Sequence, residues 1–206
     1  MIAERGEAFS ITDVVERSGV SNGTFYNYFD GRDDLVDQLV GEMVGDFTAG
    51  ASAVVGTRDA ALRVATISAM VLAWAATSPV LARALLRLEV LHRPDLDAVV
   101  FGYLRQDLVD GVAAGAFAGT ADAATVDAVT GVLFMASRRL ADAGPDEEYQ
   151  ESVITRLLLS LGVAARTAHQ TAARAVADAR PRMVALSDVG GGAPAVRRRR
   201  TTDPRP

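Results

Sequence analysis

Side chains suited to sequence-specific polar contact gather near the N-terminus of this 206-residue chain. The stretch begins at Val20. Asn22, Gly23, Thr24, Tyr26, Asn27 and Tyr28 follow in "VSNGTFYNYF", a run with no charge, and Arg32 comes just after it. Hydroxyls and a guanidinium suit phosphate oxygens, which position a protein on a duplex. An asparagine amide can bond two groups on the edge of adenine, worth about 1–3 kcal/mol of discrimination. Gly23 removes a side chain where a backbone would have to come close. The chemistry on offer is contact with the major groove of DNA.

Such contacts need elements that hold them, and residues 10–29 read as helix, turn, helix. Ser10 with Asp13 three residues on resembles a capping box, with Asp where Glu or Gln is usual. Ile11, Val14 and Val15 give the first helix a short apolar face. Gly19 suits a left-handed helix end, and Ser21 can cap the next helix. Phe25 and Phe29, four apart, share one face and would form the inner side together with Val20. Asn22, Gly23, Thr24 and Asn27 stay off that face. An ordinary helical hairpin with an aromatic core explains the two phenylalanines but not this uncharged outer tip.

"ITDVVERSGVSNGTFYNYFDGRDDLVDQLV" resembles the N-terminal domain of the TetR family of transcriptional regulators. Gly19, Val20, Ser21, Gly23, Thr24, Tyr26, Tyr28, Phe29 and Leu35 carry the resemblance. It implies that Ser10, Thr12, Asn22, Gly23, Thr24, Tyr26, Asn27 and Tyr28 meet DNA, and that Arg32, where the family usually has Lys, binds phosphate. Family members carry a full first helix ahead of this region. Here "MIAERGEAF" begins near that helix's end, so the expected reading is a true start upstream, with the first helix incomplete as written.

Composition limits the remaining classes. There is no cysteine, hence no disulfide framework or thiolate metal site, and the two histidines, His92 and His169, lie far apart. No Ser/His/Asp cluster, metal-ligand set or phosphate loop is evident, so neither an enzyme nor a cofactor is expected. "VGGGAP" is a glycine run with no strand before it. No signal-peptide core and no uncharged apolar run of membrane-spanning length is read, which points to a soluble cytoplasmic protein. The formal charge of −5 is uneven: residues 1–47 hold three Arg against ten acids, and residues 166–206 hold nine Arg against three.

The expected fold is all-α. Residues 1–47 form the helix-turn-helix domain, 48–177 a helical ligand-binding and dimerisation domain, and 178–206 a disordered basic tail. Pro79 and Pro94 are placed at first helical turns, and "DAGPDEE" ends one helix and begins another. The resemblance implies a cavity for a small-molecule effector, with Met70, Trp74, Phe101, Tyr103 and Phe134 as candidate lining residues and core packing as the competing role. His92 is expected to close a helix end beside Arg93. The resemblance also makes "ADAATVDAVTGVLFMASRRLADA" and "EEYQESVITRLLLSLGVA" the last two helices and a homodimer interface. Val126, Val129, Leu133 and the run Leu157 to Leu161 suit this, with Gly131, Ala136 and Ser137 permitting close approach. "RRRR" (197–200) reads as a solvated tail rather than a phosphate site. The implied function is a ligand-responsive regulator, a repressor that binds a palindromic operator as a dimer. The alternative is a helical dimeric small-molecule-binding protein that has lost DNA binding with its first helix.

Overall fold

A computed structural model describes residues 9–36, 38, 59–79, 82–83, 86 and 94–189, with backbone alone described for 94–101 and 180–189. Among these residues regular structure is helical throughout, as expected. Helix α1 is Ile11–Ser18, α2 Asn22–Tyr26, α3 Ala60–Thr77, α4 Pro94–Ala113, α5 Ala123–Ala143, α6 Glu147–Ser160 and α7 Ala165–Val189. Residues 32–36 form a further helical turn after α2.

Helix α3 is the axis of the larger unit. Its apolar residues do not form a stripe; they surround it, and Val64, Ala65, Ala69, Met70, Leu72 and Ala75 are all buried. A helix apolar on every side must be covered on every side. Here α7 and α5 cover α3 most extensively, with α4 and α6 completing the shell. Alanines on both partners allow close approach: Ala65 and Ala69 on α3, Ala168, Ala172 and Ala175 on α7. Larger side chains fill what remains, among them Leu108, Leu140, Ile154 and Leu158. Each such burial contributes about 1.5–3 kcal/mol. By length and composition alone α3 could cross a membrane, although Arg63 keeps it from being an uncharged run; 72% of it is buried inside this protein. It also carries the buried Arg63, so it reads as a core helix.

Polar residues set the ends of these helices. Asp59, Asp122 and Asp146 are N-caps, accepting from the backbone N–H of Leu62, Thr125 and Tyr149. Helix α6 ends with Gly162 at φ 84°, a left-handed conformation. The Val163 N–H then bonds to the Leu158 carbonyl and the Gly162 N–H to Leu159, each at 3.0 Å, the pairing that satisfies the last carbonyls of a helix. A side chain at Gly162 would also put its Cβ 2.5 Å from that of Ala118. Arg83 donates to the Ala141 carbonyl at 2.6 Å, a favourable place for a cation, at the negative end of α5.

Asp122 has the most elaborate of these caps. Its carboxylate accepts from the Thr125 backbone N–H at 2.9 Å, the Thr120 hydroxyl at 2.8 Å and the Thr125 hydroxyl at 3.1 Å. The backbone bond first, then the two hydroxyls, hold its carboxyl below the ordinary carboxylate value. A group whose folded pKa is depressed contributes stability above its unfolded pKa of about 3.9 and loses it as pH falls through the folded value. Asp122→Asn keeps a capping side chain but cannot titrate. Its thermal midpoint is expected to fall less than the wild type's as pH drops below about 4. Parallel acid limbs in the two proteins would remove Asp122 from the acid sensitivity.

Three expectations need correction. Helix α7 continues to Val189, so residues 178–189 are helical and the boundary near 177 is misplaced. Gly, Pro and Arg enrichment suggested a tail, but the helix continues through Pro181. A helix also follows "EEYQESVITRLLLSLGVA", so that stretch is not the last. Finally, Val126, Val129, Leu157, Leu158 and Leu161, expected at a dimer interface, are buried within the single chain, together with Ala136 and Ser137. Internal packing takes up most of that face, while Leu159 is left 40% exposed. The exposed residues of α5 include Ala128, Gly131, Val132 and Met135, with Met135 59% exposed, together with the charged Asp127, Arg138, Arg139 and Asp142; Leu133 is half-buried.

A candidate nucleic-acid interface

The N-terminal unit is built from its caps inward. Ser10 Oγ accepts from the Asp13 backbone N–H at 3.2 Å, and Asp13 Oδ2 accepts from the Ser10 backbone N–H at 2.8 Å. This reciprocal box starts α1 where the sequence places it. Gly19 ends α1 at φ 69°, with its N–H on the Val15 carbonyl at 3.0 Å. A left-handed residue there turns the chain sharply, and glycine adopts that conformation without steric cost. Ser21 then caps α2 by accepting from the Thr24 N–H at 3.0 Å. The two helices are therefore joined by Gly19, Val20 and Ser21 alone.

Aromatic residues set which side faces inward. Phe25 is buried, and its ring lies 5.2 Å from that of half-buried Phe29. Phe9, Leu35 and Val36 are buried in the same N-terminal region. Val20, expected on the inner side, is instead 38% exposed, because it lies in the extended link between the two helices. Tyr26 meets the edge of Phe25 at 5.4 Å and is 57% exposed.

The outer surface comprises the residues expected to touch DNA. Ser10, Thr12, Asn22, Gly23, Tyr26 and Asn27 are exposed, while Thr24, Tyr28 and Arg32 are half-buried. Helix α2 is shorter than the pattern suggests: Asn27 is its C-cap, and Tyr28 donates back to the Phe25 carbonyl at 3.0 Å, a tightened last turn. Asn27 and Tyr28 are thus offered from a turn. The Thr24 hydroxyl sits 2.9 Å from that of Ser21, which orients it before any ligand arrives. Arg32 does not project freely; its guanidinium lies over the Phe9 ring.

The five residues expected around an effector occupy unlike environments. Met70 is fully buried in the core around α3. Trp74 is half-buried against Ala75, Ala82 and Ala141. Phe134 is half-buried and Tyr103 is 54% exposed. The side chain of Phe101 lies outside the described residues, as do His92, Arg93 and the Arg197–Arg200 run. A groove of about 480 Å³ between α6 and α7 contains none of the five; Glu148, Glu151, Thr155, Arg156, His169 and Gln170 line it. His169 there bonds through Nδ1 to the Ala165 carbonyl at 2.8 Å. Sequence reasoning passed over this groove because its residues are scattered polar positions of two helices, most of them at the surface.

Residues 1–39 match the family described as bacterial regulatory proteins, tetR family. No curated protein and no solved structure matches the chain.

Proposed function

We propose that this chain, a DNA-binding transcriptional regulator of the TetR family, is a cytoplasmic repressor released from its operator by a small molecule. The observation that carries the DNA-binding part is the capped helix pair with its uncharged exposed tip, Asn22, Gly23, Tyr26 and Asn27, beside Ser10 and Thr12. Asn27 reads a base edge, while Thr24, Tyr26 and Tyr28 place their hydroxyls on phosphates. Two copies reading successive major grooves make a palindromic operator the matching partner. The exposed apolar side of α5, Val132 and Met135 about the open Gly131, supports a homodimer in which that side meets its symmetry mate. An apolar or amphipathic effector housed among the helices around α3 changes the dimer's spacing. It acts only through unequal affinity for the two spacings.

The test is titration of a labelled duplex from the gene's own upstream region, read by fluorescence anisotropy at two salt concentrations, against a scrambled duplex of equal length. Preference for the native duplex that persists at the higher salt is the expected result. Equal, salt-erased binding to both duplexes by a folded dimer would instead favour a small-molecule-binding protein that no longer reads DNA.

A further inference from the structure

Arg32 has a geometry unlike that of a side chain waiting for phosphate. Its Cζ stands 4.9 Å from the centroid of the Phe9 ring. Phe9 is itself only 3% exposed and directly precedes Ser10, the cap of α1. The Nε of Arg32 is buried without a hydrogen-bond partner. Its Nη1 is 4.0 Å from the Asp33 carboxylate. A guanidinium grips an anion through the edge of its fork, two N–H groups at a time. Here Nε is enclosed and the guanidinium carbon stands over the ring, where a desolvated cation is attracted by the π-system.

We propose that Arg32 is a positioning residue for DNA recognition rather than a phosphate ligand. It fixes Phe9, and with it the Ser10–Asp13 cap of α1, against the helical turn at 32–36. That contact closes a loop around both helices of the pair, so the spacing of α1 and α2 depends on it. The proposal rests on the DNA-binding reading for its consequence, but not for its geometry.

The test uses the full chain with Arg32→Met, which keeps the stem and removes the charge, with Phe9→Leu, and with both. Hydrogen exchange without DNA is read at the amides of Val14 and Gly19, which close α1. Each single change is expected to speed exchange about threefold, the effect of a modest cation–π contact, and the double change to add little more. Binding to the upstream duplex is expected to weaken with an unchanged slope of log K against log salt. A phosphate ligand behaves differently: Arg32→Met would lower that slope by about one and leave exchange alone. That result overturns the proposal, as does strict additivity of the two changes in exchange. If no variant and no wild-type protein binds DNA, coupled exchange still upholds the Arg32–Phe9 contact while the DNA-binding reading fails.

Discussion

Replacing Thr24 and Tyr26 together by alanine is expected to lower operator affinity about a hundredfold or more while the helices stay folded. The magnitude follows from two hydrogen bonds to charged phosphate oxygens, each about 1.5–3 kcal/mol, at 1.4 kcal/mol per decade. The folded state should tolerate the change. Tyr26 is more than half exposed and contributes one edge contact to Phe25. The Thr24 backbone N–H, which Ser21 caps, remains after the substitution. Helix α2 is only five residues long, so it is held by Phe25 and by its caps rather than by its own propensity. Circular dichroism should therefore overlay for the two proteins, and anisotropy should separate them. Adding Tyr26→Phe alone divides the loss between ring and hydroxyl. Undiminished operator affinity in the double variant, with the fold intact, would sink the contact assignment.

What could be read from the sequence was what local rules determine. The Ser10–Asp13 box, the left-handed Gly19, the Ser21 cap and the Phe25–Phe29 pair each depend on residues within four positions of one another. The start of α4 at Pro94 is of the same kind. The misreadings share a different origin. Leu157, Leu158 and Leu161 are apolar whichever partner they meet, and periodicity does not say whether that partner is α3 or a second chain. Val20 and Tyr103 are apolar or aromatic residues left at the surface, a common outcome where there is too little polar surface to cover a protein. The Phe9–Arg32 contact joins residues on either side of both helices, and no short-range rule pairs them. The continuation of α7 to Val189 runs against composition, with Pro181 inside it. Long-range packing decided the burial of the three leucines and the Phe9–Arg32 contact.

The same limit applies most strongly to Arg63, for which we expect the largest loss of stability. The Arg63 Nε donates to Asp107 Oδ1 at 2.7 Å, joining α3 to α4 across 44 residues of sequence. Its Nη2 lies 3.7 Å from Asp110. The side chains of Arg63 and Asp107 are only 10% and 13% exposed. Removing one member of a buried pair leaves the other charge in a poorly solvated site, at about 3–5 kcal/mol. Asp107→Ala should sit at the low end, since Asp110, half in solvent, still neutralises part of the Arg63 charge. About 3 kcal/mol corresponds to a fall in Tm of about 6–12 °C at this chain length. Arg63→Ala should cost at least as much, because it strands Asp107 and removes a side chain that is itself buried. The paired replacement Arg63→Met with Asp107→Leu separates the two sources of loss. It removes both charges and fills the volume, so most of the stability should return if desolvated charge is the cause. Thermal melts of the three variants decide the matter. A double replacement as unstable as Asp107→Ala would mean that the geometry of the ion pair, not the stranded charge, holds α4 on α3.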